Sequence, residues 1–315
     1  MMSNVAVVDC GSNSTRLLVT TASGESVLRE MRMTRLSEGV DASRRLTPEA
    51  MERTRLVLTE YRTRAESFGP CDLVVVATSA VRDALNRHEF VEVAREATGG
   101  EVAVISGSDE ARYSFRGATS HLDSDGRPPV VLDIGGGSSE LALEWSERLW
   151  GYSTNLGCVR VTERVLGTGP LDPVRESAAR SMIDEELHRA LEVLTPLVEL
   201  RGQCRLVGLA GTVATLAQLV FAVATYDRAA VHHRRISRDE VAYWRRYLGG
   251  LTPAERAHEV GMVAGREDVI VAGLLVLEGV MDLIGAEDLV TSEDDILDGV
   301  AAEVRAGTRP VTMER

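Results

Sequence analysis

The chain has 315 residues, 44% of them apolar and 26% charged, with nine prolines and a mean hydropathy of -0.04. Those values exclude a chain too polar to fold and a polytopic membrane protein, and the length suits two domains or one large one. Lys+Arg total 35 against 48 Asp+Glu, a net charge of -13 that repels nucleic acid and anionic membrane surfaces. Every basic residue is arginine, so a bound phosphate would be held by guanidinium forks, backbone amides, hydroxyls or a metal, never by an ammonium. Cys10, Cys71, Cys158 and Cys204 show no CxxC or His-rich spacing, which argues against a disulfide framework or a zinc site. The opening MMSNVAVVDCG carries no secretory or lipidation pattern, and a cytoplasmic protein is expected.

Short β-branched runs alternate with longer amphipathic stretches, the pattern of an α/β fold. In chain order, strands are expected at Val5 to Asp9, Leu73 to Ala77, Val102 to Ile105, Val130 to Asp133 and Arg205 to Leu209. Helices are expected at Pro48 to Ala65, Arg87 to Ala97 and Val174 to Leu194, the first with Thr47 as N-cap, Pro48 at its first position and Glu49 in its first turn. Leu206 to Tyr226 carries no charge and is long enough to span a bilayer. Gly208, Gly211, Thr212, Thr215 and Gln218 interrupt it, and it reads as a buried strand, a glycine turn and a buried helix.

The strongest organisational signal is an internal repeat. Val5-Ala-Val-Val-Asp9-Cys-Gly11-Ser-Asn-Ser14-Thr-Arg16 returns as Pro129-Val-Val-Leu-Asp133-Ile-Gly135-Gly-Gly-Ser138-Ser-Glu140, an offset of 124 residues. In both copies an apolar strand ends at Asp, turns through Gly and Ser, and leaves as an alternating strand, so a duplication with a pseudo-two-fold cleft is expected. The turn-rich segment Asp123 to Pro129 marks the boundary.

A strand that ends in Asp and turns through small residues gathers amides and hydroxyls into a nest for phosphate, and its carboxylate can direct a divalent cation. Singly, either turn is an ordinary hairpin; turn chemistry explains the glycines of the pair but not the repeated Asp. Ala77-Thr-Ser-Ala-Val-Arg82-Asp-Ala84 follows a strand and opens a helix, which places hydroxyls and an arginine where ligands gather in α/β folds. Ile105-Ser-Gly-Ser-Asp109-Glu110-Ala-Arg112 likewise starts a helix, capped by Ser106 or Ser108, with two acids that compensate its dipole.

Taken together these segments resemble the exopolyphosphatase and guanosine pentaphosphate phosphohydrolase (Ppx/GppA) family. DxGSNSxR stands at Asp9 to Arg16, ATSAxRxAxN at Ala77 to Asn86, SGxxEAR at Ser106 to Arg112, DIGGGSxE at Asp133 to Glu140, GCVRxTE at Gly157 to Glu163 and GLAGTxxTLA at Gly208 to Ala217. The chain looks closest to the short actinobacterial branch, without the helical extension of long members. The resemblance implies two actin-like (ribonuclease H-like) domains of the acetate and sugar kinase, heat-shock chaperone and actin superfamily, at residues 1 to 122 and 123 to 315, hinged over a cleft. It also implies roles. Glu110 would be the base for the attacking water, and Arg82 a phosphate or transition-state ligand. Asp133 and Glu140 would organise magnesium (or manganese) and the water, with Asp9 as a further metal ligand. Gly11, Ser12, Asn13 and Ser14, with Gly135, Gly136, Gly137 and Ser138, would cradle phosphates. Arg16 and Arg266 match positions associated with the nucleoside end of the alarmone or with polyphosphate.

The expected activity is therefore Mg2+-dependent release of terminal orthophosphate from inorganic polyphosphate, with guanosine pentaphosphate, the stringent-response alarmone, as the nearest alternative substrate and a non-hydrolytic nucleotide-binding regulator as the rival class. Nucleic acid and membrane are not expected partners, and a homodimer is allowed. His232 reads as a satisfied structural histidine. The basic run Arg228, His232, His233, Arg234, Arg235 and Arg238 is a solvated loop and helix start or a track for a long polyanion. Where relatives read SxxGLREG this chain has Ser292-Glu-Asp-Asp295-Ile-Leu-Asp298-Gly299, without the arginine.

Overall fold

The computed structural model describes residues 3–313. Strand β1 (Asn4–Cys10) is apolar at nearly every position because it is central and covered on both faces. Its side chains alternate between two cores: Ala6, Val8 and Cys10 enter one, Val5 and Val7 the other. It pairs antiparallel with β2 (Ser14–Thr20), which pairs with β3 (Ser26–Met33), and parallel with β4 (Cys71–Ala77), which carries β5 (Glu101–Val104). The resulting order is β3-β2-β1-β4-β5. Helices Pro48–Glu66 and Arg87–Thr98 close the first core through Leu58, Tyr61, Phe90 and Ala94. Thr47 caps the former as expected, accepting from Ala50 N at 3.2 Å.

The second sheet repeats the plan. Strands β6 (Pro129–Ile134), β7 (Ser139–Trp145) and β8 (Arg148–Thr154) form the antiparallel meander, and β9 (Arg205–Leu209) pairs parallel with β6. Beyond β9 lie β11 (Asp288–Thr291), parallel to it, and the short antiparallel edge β10 (Arg235–Ser237), giving the order β8-β7-β6-β9-β11-β10. The apolar helix Ile270–Ile284 and the longer Pro173–Val193 cover the face lined by Val130, Leu132 and Ile134. The charge-free stretch resolves into β9 and the buried helix Ala210–Val220. Among the described residues no helix is long and apolar enough to cross a membrane.

The expected division at residue 122 is corrected at the far end of the chain. One unit comprises the residues up to Gly117 together with those from Ile296 onward; the other is Ala118–Asp295. Helix Ile296–Arg305 places Ile296, Leu297, Val300, Ala301 and Val304 against Val5, Val7, Leu18, Val74 and Val76 of the first sheet. Without it that face would be bare, so the C-terminal segment belongs to the first unit and not to a second domain running to 315.

Candidate active site

In the first unit the site is built at the carboxyl ends of β1, β4 and β5. Residues Ser12, Asn13 and Ser14 are buried although polar, and the turn they form is closed by Gly11 N donating to Ser14 O at 3.1 Å. Ser12 Oγ lies 2.9 Å from Ser79 Oγ, which ties the turn to the segment after β4. Asn13 Nδ2 is buried with no hydrogen-bond partner among the described residues.

Glu110 stands in the first turn of helix Gly107–Thr119 and is 7% exposed. Its Oε2 accepts from Arg82 Nη1 at 2.7 Å, and Arg82 Nη1 also reaches Ile105 O at 3.3 Å. Burial raises the carboxyl's proton affinity above the usual glutamate range; Arg82 and a hydrogen bond from the Thr78 hydroxyl oppose that, and the Asp9 charge adds to it. Ser106, not Ser108, provides the cap: its Oγ accepts from Asp109 N at 3.1 Å and donates to Asp109 Oδ2 at 2.7 Å. The sequence places the Thr78 hydroxyl at the strand end with Arg82, but not its hydrogen bond to Glu110. Thr78 stands one residue past the end of β4.

The two halves of the repeat match at the atomic level and then diverge. Gly135 N donates to Ser138 O at 3.0 Å, the counterpart of the Gly11 turn. In each copy the residue directly across the antiparallel pair from the strand-end Asp is the last of the repeat: Asp9 faces Arg16, and Asp133 faces Glu140. Asp9 Oδ2 therefore accepts from Arg16 Nε at 3.0 Å and Nη2 at 2.7 Å. That carboxylate oxygen, expected to bind metal, neutralises a guanidinium, and Arg16, expected at the nucleoside end, is held by an aspartate. In the second unit the same geometry brings two buried carboxylates onto one face of the sheet, opposite residues in a ladder lying roughly 4.5–5.5 Å apart. Glu140 Oε1 accepts from Ser153 Oγ at 2.6 Å, its register partner on β8. Ser153 was missed by motif reading, since the ladder alone reveals it.

The glycine loop of the second unit is fixed from outside. Cys158 N donates to Gly135 O at 2.9 Å, while Val159 N and Arg160 N donate to Gly136 O at 2.9 and 3.1 Å. Gly157 is required by this docking, because a Cβ there would sit 2.0 Å from Gly136 O. Gly136, Gly137 and Ser138 are buried beneath it. Arg266, also buried, packs its guanidinium against Gly211, where a Cβ would fall 1.8 Å from its Cζ, at the start of helix Ala210–Val220. Its immediate setting is thus the glycine turn after β9, and its charge faces the Cys158 thiol.

The basic run does not form a free positive track. Arg228 pairs with Asp294 at 2.6 Å, Arg235 with Asp288 at 2.8 Å and Asp125 at 3.5 Å, and Arg238 with Asp282. Arg234 stacks over Phe221 at 4.2 Å. His232 is structural, as expected: its Nδ1 accepts from Glu293 N at 3.0 Å, and burial with the Arg228 charge beside it lowers its pKa to about 4.

Among the described residues no group of three or more His, Cys, Asp and Glu side chains is arranged to hold a metal by itself. The Asp133 and Glu140 pair nevertheless fits magnesium, which is bound through one or two carboxylates with water and phosphate oxygens completing its shell.

A meander followed by parallel strands, repeated with an acidic residue at the end of each first strand, defines the actin-like class of phosphoryl-transfer folds. The model of the Ppx/GppA phosphatase family matches residues 18–304, and the chain belongs to that family. It is 41% identical to exopolyphosphatase 2 of Mycobacterium tuberculosis over 316 aligned positions, covering 95% of this chain and 98% of that one. An exopolyphosphatase-like protein of known crystal structure superposes with a TM-score of 0.89 at 31% identity, over 96% of this chain and 99% of its own. The Aquifex aeolicus family member gives 0.78 at 27% identity, over 98% and 99%.

Proposed function

We propose that this protein is a phosphoanhydride hydrolase that releases terminal orthophosphate from inorganic polyphosphate by attack of water. The observation that carries the reading is Glu110: a carboxylate made more basic by burial, oriented at 2.7 Å by Arg82 and placed at the strand ends beside the Gly11 to Ser14 turn. A pure binding protein has no use for a base in that position. The name of the Mycobacterium tuberculosis relative supports polyphosphate as the substrate.

Glu110 takes the proton as the water oxygen attacks the terminal phosphorus, and the bridging oxygen leaves with the shortened chain. Arg82 serves twice, orienting the carboxylate and placing positive charge near the charge that spreads over the equatorial oxygens. The Gly11 to Ser14 turn, with the Asn13 amide, and the Gly135 to Ser138 turn each offer a phosphate cradle. Asp133 and Glu140 would hold a magnesium ion, which supplies charge neutralisation for the phosphate oxygens when bound. Ser153 fixes the Glu140 carboxylate for that task. Guanosine pentaphosphate ends in the same bond and is the alternative substrate.

Parallel assays of orthophosphate release from long polyphosphate, tripolyphosphate and guanosine pentaphosphate test the reading. Release from polyphosphate, lost on chelation and in Glu110→Gln, is the expected outcome. No release from any of the three with Mg2+ or Mn2+ supplied would contradict it.

A further inference from the structure

Beyond the groups that touch substrate, the first unit contains a cluster of charges around one buried carboxylate that the reaction does not use. Glu303, on the C-terminal helix Ile296–Arg305, is 7% exposed, and its Oε1 accepts from both Arg112 Nη1 and Arg116 Nη1 of helix Gly107–Thr119. Arg112 in turn donates to Asp109 Oδ1 at 3.0 Å and lies over the Tyr113 ring at 4.4 Å. The other oxygen of Asp109 accepts from the capping hydroxyl of Ser106, whose carbonyl accepts from Glu110 N at 2.9 Å. The two helices touch through backbone, since a Cβ on Gly299 would lie 2.1 Å from Tyr113 O. A chain of directed contacts thus runs from Glu303 to the turn that carries Glu110.

We propose that Glu303 is a positioning residue for Glu110, acting through Arg112 and Asp109 on the capping turn from which Glu110 rises. A buried carboxylate between two guanidiniums is costly to desolvate, and an apolar residue would pack this helix face more cheaply if packing were its purpose. What the ion cluster adds is direction: it fixes the Asp109 carboxylate from one side while Ser106 fixes it from the other. The Glu110 side chain has its own partners, Arg82 and Thr78, with the Asp9 charge nearby, and the cluster sets its main chain against them. The effect on rate, though not the clamp itself, rests on Glu110 being the base.

The test is Glu303→Gln, which keeps shape and removes the charge, with Arg112→Gln as a second variant that leaves Glu303 its Arg116 partner. Two quantities are read: the titration of the Glu110 carboxyl in 13C-glutamate-labelled protein, assigned with Glu110→Gln, and steady-state kinetics on polyphosphate. A loosened turn lengthens the Arg82 contact, so the Glu110 titration moves to higher pH. With it kcat falls roughly 10- to 100-fold while KM stays within about twofold, the scale expected for sub-ångström misplacement of a reacting group. An unmoved Glu110 titration in a folded variant overturns the clamp, whatever the rate. A titration that moves while kcat does not would uphold the clamp and refute Glu110 as the base.

Discussion

Gly157→Ala puts the construction of the second phosphate turn to a quantitative test. Gly157 has φ -86°, an ordinary value, so alanine pays no conformational penalty there and would otherwise stabilise by about 0.4–1 kcal/mol through the unfolded chain. The added Cβ, however, would lie 2.0 Å from Gly136 O, 2.2 Å from Gly136 C and 2.4 Å from Gly137 C, all backbone. Reaching a normal contact requires the Gly135 to Ser138 turn to retreat by ~1 Å, a displacement that can cost on the order of 100-fold in rate. Overpacking of this kind costs about 1–3 kcal/mol, and weakening the amide contacts from residues 158–160 adds about 1 kcal/mol. Less the gain from the unfolded chain the net cost is about 1–3.5 kcal/mol, and the melting temperature should fall by about 2–14 °C at ~2–4 °C per kcal/mol. Differential scanning fluorimetry and phosphate-release kinetics read both effects, and added Mg2+ should not rescue the rate. A variant as stable as wild type or more so, with kcat unchanged, would refute the claim that the turn is locked by backbone docking.

Glu110→Gln should lower kcat about 10²- to 10⁴-fold with polyphosphate binding retained, as filter binding or calorimetry can check. In the wild type, the acid limb of kcat should lie above the ordinary glutamate value because burial favours the protonated acid; Arg82→Ala, removing the opposing charge, should push that limb higher still. Glu140→Gln should weaken Mn2+ binding, read by electron paramagnetic resonance without turnover, whereas Asp9→Asn, whose carboxylate faces Arg16, should leave that affinity within about threefold. His232 binds its proton less readily folded than unfolded, so it subtracts stability as pH falls from 6.5 towards about 4; His232→Gln should flatten chemical-denaturation stability across that window. Joint replacement of Arg234 and Arg235 by serine should change KM for long polyphosphate by less than about twofold, since Arg235 is already neutralised by Asp288 and Asp125.

Much of this site is legible in the sequence because it repeats. An Asp at the end of an apolar run, followed by Gly and Ser at the same spacing twice, specifies a strand, a turn and an opposing strand, and the structure builds both copies with the same Gly-to-Ser hydrogen bond. Aligning the two copies matches Arg16 with Glu140, but that this exchange sets Asp9 across from an arginine in one copy and Asp133 across from a glutamate in the other follows only from the ladder. The C-terminal helix was misassigned for a similar reason. Ile296, Leu297, Val300 and Val304 show an amphipathic face, yet nothing local says that Val5 and Val7, nearly the whole chain away, complete it. The charge run left two readings open, and only the arrival of Asp294, Asp288 and Asp282 from distant segments to pair with Arg228, Arg235 and Arg238 decides against a track.

The central claim is that water, deprotonated by Glu110, removes orthophosphate from the chain end. Phosphorus NMR of long polyphosphate hydrolysed in 18O-labelled water reads it most directly. The account predicts an orthophosphate signal from the earliest times carrying one solvent-derived 18O, with the internal-chain resonance declining in step, end groups roughly constant in number, and all change abolished in Glu110→Gln. Growth of end groups without orthophosphate, transfer to an acceptor other than water, or undiminished release by Glu110→Gln would contradict it.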